Sequence, residues 1–103
     1  MNRKDFIAKL GIKPIKVHIQ SLNDDVYIRA LSYKGAVAVA TCTNPIDRAV
    51  TTVINSVCDH TGKLIFNAND VDLISDNFSY AAIQDIAYEV SKITKVTPAD
   101  TVK

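Results

Sequence analysis

The sequence predicts an α+β fold, in which an N-terminal β-hairpin is followed by a mainly α-helical bundle. Residues 15–20 and 26–30 alternate strictly between apolar and polar side chains, and the polar stretch 21–25 separates them. From Ser32 onward, apolar residues recur every three or four positions, which is the helical period. With 103 residues, of which 48% are hydrophobic, the chain is expected to form one domain with one core.

Composition and charge exclude several classes of protein. The content of apolar and charged residues is close to the globular average, so disorder and membrane insertion are not indicated. The 12 basic and 11 acidic residues leave a net charge of +1, which argues against nucleic-acid binding. No apolar run approaches a secretion signal or the roughly 20 residues of a membrane span, so we expect a cytoplasmic protein. Cys42 and Cys58 are therefore expected to be reduced core thiols, although they could pair.

A short helix over residues 3–10 is predicted first. Phe6, Ile7 and Leu10 share one face of it, and Gly11 and Pro14 end it. The hairpin follows. Its core-facing residues are expected to be Ile15, Val17, Ile19, Val26, Ile28 and Ala30. Its opposite face is expected to carry Lys16, His18, Gln20, Tyr27 and Arg29.

The hairpin also raises the question of self-association. Two strands alone are marginally stable and leave both edges open, and a partner strand or a second copy of the protein is a natural way to cover them. Self-association is therefore expected, the alternative being that the protein's own helices cover the edges.

Serine and asparagine residues mark the starts of the predicted helices. Ser32 is expected to cap a helix that ends near Thr41, with either Val37 and Ala40 or Ala36 and Val39 on its inner face. Asn44 precedes Pro45 and a second helix, whose inner face is expected to hold Ile46, Val50, Val53, Ile54 and Val57. A short helix over 69–74 and a last helix after Ser79 complete the bundle. The inner face of the last helix is expected to hold Ile83, Ile86, Ala87, Val90 and Ile93. Residues 1–94 form the predicted domain, and residues 95–103 are expected to be a flexible tail.

The segment 59–74 is predicted to connect the second helix to the short one. Gly62 supplies the positive φ that a tight turn needs, and Phe66 is expected to be buried as the anchor of the loop. Asn67 or Asn69 can cap the short helix that follows.

No set of residues with catalytic, cofactor-binding or metal-binding spacing was found. His60 lies next to Asp59 and near Cys58, but no second cluster of ligands accompanies them. Cys58 is expected at a helix C-terminus, where the dipole disfavours a thiolate. Three tyrosines could form a contact surface, although half-burial beside the core is the commoner arrangement. They are Tyr33, Tyr80 and Tyr88.

The sequence resembles the tail assembly chaperones of long-tailed bacteriophages in two motifs, which recur in the same order in that family. They are the arginine-leucine turn into the helices, at residues 26–32, and the connector Asp59-His60-Thr61-Gly62-Lys63-Leu64-Ile65-Phe66. The resemblance covers nearly the whole chain. Two features depart from the family: the middle of this sequence is unusually rich in valine and alanine, and the chain has fewer acidic residues than many members.

The resemblance implies a non-enzymatic protein of the host bacterial cytoplasm that self-associates and binds the tape measure protein to help recruit tail tube subunits. Its partners would be the tape measure protein, the tail tube protein and further copies of itself, with no cofactor, nucleic acid or membrane. The expected partner-binding residues are Val17, Tyr27, Arg29, Phe78 and Tyr80. Two alternatives stay open: a virion structural subunit of a head-tail connector or tail terminator, and a small nucleic-acid-binding regulator.

Overall fold

Five α-helices and a three-stranded antiparallel sheet make up residues 1–94, the part of the chain that the computed structural model describes. The predicted tail, residues 95–103, lies outside the described residues. In chain order the elements are α1 (Arg3–Leu10), β1 (Ile15–Ile19), β2 (Asp24–Ile28), α2 (Tyr33–Ala40), α3 (Pro45–Ile54), β3 (Val57–Cys58), α4 (Val71–Asn77) and α5 (Tyr80–Ile93). A 3₁₀ turn, Ala68–Asp70, leads into α4.

The hairpin forms as the alternation predicts, with a shifted second strand. Val17 pairs with Val26, and Ile19 pairs with Asp24 across a turn in which Asn23 has a φ of 50°. The strand β2 therefore begins two residues earlier than expected and ends at Ile28, which leaves Ala30 beyond it.

Burial along the hairpin follows the predicted face only in part. Ile19 and Ile28 are fully buried. Ile15 was expected to face the core but is 44% exposed, because it begins an edge strand that only β2 pairs with.

A third strand replaces the predicted end of the second helix. The helix α3 stops at Ile54, and Val57 and Cys58 pair with Ile28 and Tyr27 of β2. The backbone amide of Arg29 donates to the carbonyl oxygen of Ser56 at 2.9 Å, which aligns the two segments. A β-branched residue such as Val57 has weak helix propensity and packs well on a sheet, so the sheet ends the helix.

Contrary to the prediction that both edges of the hairpin are open, a third strand covers one of them. The strand β3 covers the outer edge of β2, and Leu64 in turn bridges to Cys58 on the far side of β3. Among the described residues, β1 and β3 are the edge strands, and only β1 has no residue bridged to its outer edge.

The core lies between the sheet and the helices α3, α4 and α5. Its most buried side chains come from all of these elements: Ile19, Ile28, Val53, Ile74, Ile86 and Val90. The predicted caps Ser32, Asn44 and Ser79 each accept a hydrogen bond from the backbone of the helix that they precede. In α2 the face with Ala36 and Val39 is the more buried one.

The connector contains the predicted turn. Gly62 has a φ of 92°, and the side chain of Asn67 accepts from the amide of Asn69. Phe66 is half-buried rather than fully buried, and its ring meets Phe78 edge to face with centroids 5.8 Å apart. A half-buried aromatic pair therefore anchors the loop to the start of α5.

Candidate functional site

Two of the five predicted partner-binding residues lie on the sheet, and a third directly follows it. Val17 packs against the core, and Tyr27 is half-buried on β2. Arg29 follows β2, and its Nη1 donates to the carbonyl oxygen of Gly62 at 3.0 Å. The guanidinium therefore holds the connector turn against the sheet, while partner contacts by these residues stay a prediction.

The other two, Phe78 and Tyr80, line one apolar groove between α3, α4 and α5. Phe78 is the C-cap of α4 and Ser79 is the N-cap of α5, so only these two residues separate the two helices. The groove has a volume of about 210 Å³. Its apolar lining comes from all three helices: Ile46, Ala49, Val50, Ile74, Phe78, Tyr80 and Ile83. Such a shape suits an apolar side chain or the face of a helix.

Ile46 is a surface residue at the groove, which its sequence pattern did not predict. It was expected on the inner face of α3, yet it is 69% exposed at the mouth of the groove. Its position in the first turn of α3, directly after Pro45, is the signal that could have suggested exposure. Tyr80 opposite is 78% exposed, so the rim carries two large apolar residues in water.

A second apolar surface lies on α2. Tyr33 is 88% exposed and Val37 is 44% exposed. The shallow depression there is lined by Leu31, Tyr33, Ala36, Val37, Val39 and Ala40. Residues 26–46 contain no acidic residue and only two basic ones, Arg29 and Lys34, so this surface is almost uncharged.

The tyrosines resolve one of the open alternatives. Tyr33, Tyr80 and Tyr88 are all exposed, so half-burial beside the core is wrong for them. Tyr33 lies on the α2 surface and Tyr80 lies at the groove. Tyr88 lies elsewhere on α5, under the ammonium group of Lys92.

The small net charge conceals a segregation of charge along the chain. Residues 1–16 contain five basic residues and one acidic residue. Residues 64–91 contain five acidic residues and no lysine or arginine. Asp72 and Asp76 lie one turn apart on the exposed side of α4, and neither lines the groove.

Residues 58–60 lie at the end of β3 and the start of the connector turn. Cys58 lies in β3 and not at a helix C-terminus, and burial raises the pKa of its thiol despite the opposing effect of Arg29. A protonated, buried thiol is a poor nucleophile. Both cysteines are free. Within residues 1–94, no three His, Cys, Asp or Glu side chains group closely enough to hold a metal ion.

Asp59 serves the connector turn. Its Oδ1 accepts hydrogen bonds from the backbone amides of Thr61 and Lys63 and from the hydroxyl of Thr61. The hydroxyl of Thr61 is the main cause that lowers the pKa of this carboxyl. The carboxylate therefore has a structural role in a turn.

None of the helices in residues 1–94 is long and apolar enough to cross a membrane.

Comparison with known proteins finds a similar fold. No protein-family model matches the chain, and no curated protein sequence matches it. The structure is similar to the solved structure of the bacteriophage HK97 tail assembly chaperone, with a TM-score of 0.65. The likeness covers 87% of this chain and 95% of the HK97 chain, at 11% sequence identity. The fold that the sequence resemblance implied is thereby confirmed.

Proposed function

We propose that this protein is a non-enzymatic tail assembly chaperone of a long-tailed bacteriophage. In this role it self-associates in the host cytoplasm, binds the tape measure protein and helps to recruit tail tube subunits. The observation that carries the proposal is the fold shared with the HK97 tail assembly chaperone over 87% of the chain. The motifs at residues 26–32 and 59–66 point to the same family independently of the fold.

The two exposed apolar surfaces support a role in binding other proteins. A chaperone for a long helical client must contact many copies of itself and many segments of the client. The groove and the α2 surface both fit the apolar face of a helix. We assign the tape measure segment to the α2 surface, because its exposed Tyr33 and Val37 offer apolar area with almost no charge.

A pull-down with the tape measure protein of the same phage tests this function. We expect the wild-type protein to retain a tape measure fragment and the variant Val37→Asp to lose it. Leu22→Asp is the matched control, since Leu22 is also 44% exposed but lies in the hairpin turn. Failure of the wild-type protein to retain any tape measure segment would contradict the proposal.

Two further measurements separate the alternatives. Mass spectrometry of purified virions is expected to detect no copies of this protein, and its presence would favour a virion structural subunit. Binding to double-stranded DNA is expected to be absent. Binding that weakens steeply with salt, without retention of the tape measure protein, would favour a nucleic-acid-binding regulator.

A further inference from the structure

The last described residue, Thr94, is held next to the α2 surface. Thr94 is the C-cap of α5, and its backbone is extended rather than helical, with a φ of −85° and a ψ of 93°. Its hydroxyl oxygen accepts a hydrogen bond at 2.9 Å from the backbone amide of Leu31, which is one of the residues that line the α2 surface. The chain therefore turns out of α5 beside that surface.

An apolar depression joins Thr94 to the α2 surface. It has a volume of about 270 Å³, and its lining includes Leu31, Val39, Ala87, Val90 and Thr94. Leu31 and Val39 also line the α2 surface, so the two depressions adjoin. A segment that follows Thr94 can therefore lie on apolar surface from its first residue onward.

The nine residues after Thr94, here called the C-terminal segment, have a sequence that favours an extended chain with one apolar side. Val96, Pro98 and Val102 are separated by even numbers of residues, and such positions lie on the same side of an extended chain. Pro98 also disfavours the helical region for Thr97, which precedes it. Burial of this apolar side against an apolar surface is favourable.

We propose that the C-terminal segment, residues 95–103, docks along the α2 surface of its own chain. Its nine residues reach about 30 Å when extended, whereas the eight residues of α2 span only about 12 Å. The exposed ring of Tyr33 suits Pro98, because prolines of extended segments dock on aromatic side chains.

The short connection to Thr94 selects the segment of the same chain over that of a second copy. Val96 is only two residues from Thr94, whose hydrogen bond to Leu31 fixes the start of the segment. A segment attached so closely has an effective concentration in the millimolar range at the surface, which a second copy reaches only in a very concentrated solution.

Docking at this place makes the C-terminal segment a competitor of the client. The proposed function assigns the tape measure segment to the same surface, and only this consequence rests on that function. The client must displace residues 95–103 before it can bind, so the α2 surface stays covered until a client is present.

A tryptophan at position 33 of the full-length protein reports whether the α2 surface is covered. The sequence contains no tryptophan, so Tyr33→Trp introduces a single one. Tyr80→Trp, at the rim of the groove, is the matched control, because Tyr80 is 78% exposed and Tyr33 is 88% exposed. Circular dichroism is expected to show that both proteins keep the wild-type fold, since both side chains lie at the surface.

Two pairs of substitutions are then added to each tryptophan protein. Val96→Asp with Val102→Asp puts charge on the apolar side of the C-terminal segment. Thr97→Asp with Thr101→Asp puts the same charge on its other side and is the control. Fluorescence emission and quenching by acrylamide measure how far water reaches the tryptophan.

In the Tyr33→Trp protein, the valine pair is expected to shift emission to longer wavelength and to raise the quenching constant about 2-fold or more, because the docked segment is released. The threonine pair is expected to leave both quantities nearly unchanged. In the Tyr80→Trp protein, neither pair is expected to have an effect.

Three results would overturn the proposal. The first is emission from the Tyr33→Trp protein that the valine pair does not change, and the second is an equal change from the threonine pair. The third is emission that depends on protein concentration, since that would put a second copy on the α2 surface. The measurements use the purified protein alone, so their outcome is independent of whether the tape measure protein is retained.

Discussion

The Nη1 atom of Arg29 lies 3.0 Å from the carbonyl oxygen of Gly62, to which it donates a hydrogen bond across 33 residues of sequence. Arg29 follows the strand β2, and Gly62 forms the turn of the connector. The same arginine donates its backbone amide to Ser56. One residue therefore ties both ends of the segment 56–62 to the sheet.

Replacement of Arg29 by methionine is expected to destabilise the protein by about 1.5 kcal/mol, since a partly buried hydrogen bond to a charged donor is lost. Urea unfolding measures this change. Lys16→Met is the control, because Lys16 lies 3.9 Å from Asp25 in an exposed ion pair, which contributes less than about 0.5 kcal/mol. Equal effects of the two substitutions would show that the Arg29 contact adds nothing.

Substitution of Gly62 tests the turn itself. Because its φ is 92°, alanine is expected to cost about 1 kcal/mol, and the β-branched valine is expected to cost more. A Cβ at this position would also lie 3.3 Å from Cδ of Pro14. Thermal unfolding of the two variants measures the order, and a valine variant as stable as the wild type would contradict the assigned turn.

The edge-to-face contact between Phe66 and Phe78 predicts how much the anchor of the connector contributes to stability. Phe66→Ala is expected to cost about 2 kcal/mol, which is below the 3–5 kcal/mol of a fully buried phenylalanine because the ring is half-buried. Phe66→Leu keeps much of the apolar volume and is expected to cost less than the alanine variant. An unchanged melting temperature for the alanine variant would show that the connector is not anchored by this ring.

The lowered pKa of Asp59 predicts that the protein loses stability in acid. Its pKa is lowered in the folded protein, chiefly by the hydroxyl of Thr61, so its ionised form favours the folded state. This contribution is fully present above the pKa of the unfolded chain, near 3.8, and is lost as the pH falls through the lower folded value. We expect Asp59→Asn to lower the melting temperature at pH 7 and to have a smaller effect at pH 2.5. A difference that does not shrink in acid would contradict a stabilising carboxylate.

Local signals in the sequence were sufficient for several elements. Alternation over residues 15–20 predicted the hairpin. Ser32, Asn44 and Ser79 predicted three helix starts, because their side chains can accept hydrogen bonds from the free backbone amides of a helix N-terminus. Gly62 predicted a positive φ because other residues tolerate it poorly. These features depend on one residue and its neighbours in the chain, so the sequence alone determines them.

The remaining features depend on contacts between distant segments. Val57 and Cys58 continue the helical spacing of α3, and only the strand β2 makes them a third strand. The groove arises where three helices meet, so no local pattern shows that Ile46 and Phe78 line the same groove. Periodicity reports which side chains prefer burial, but the tertiary structure decides which of them find a partner within the chain. The apolar spacing of residues 3–10 predicted the helix α1 correctly. None of its residues is buried in the described structure, so the sequence could not show which surface its apolar face contacts.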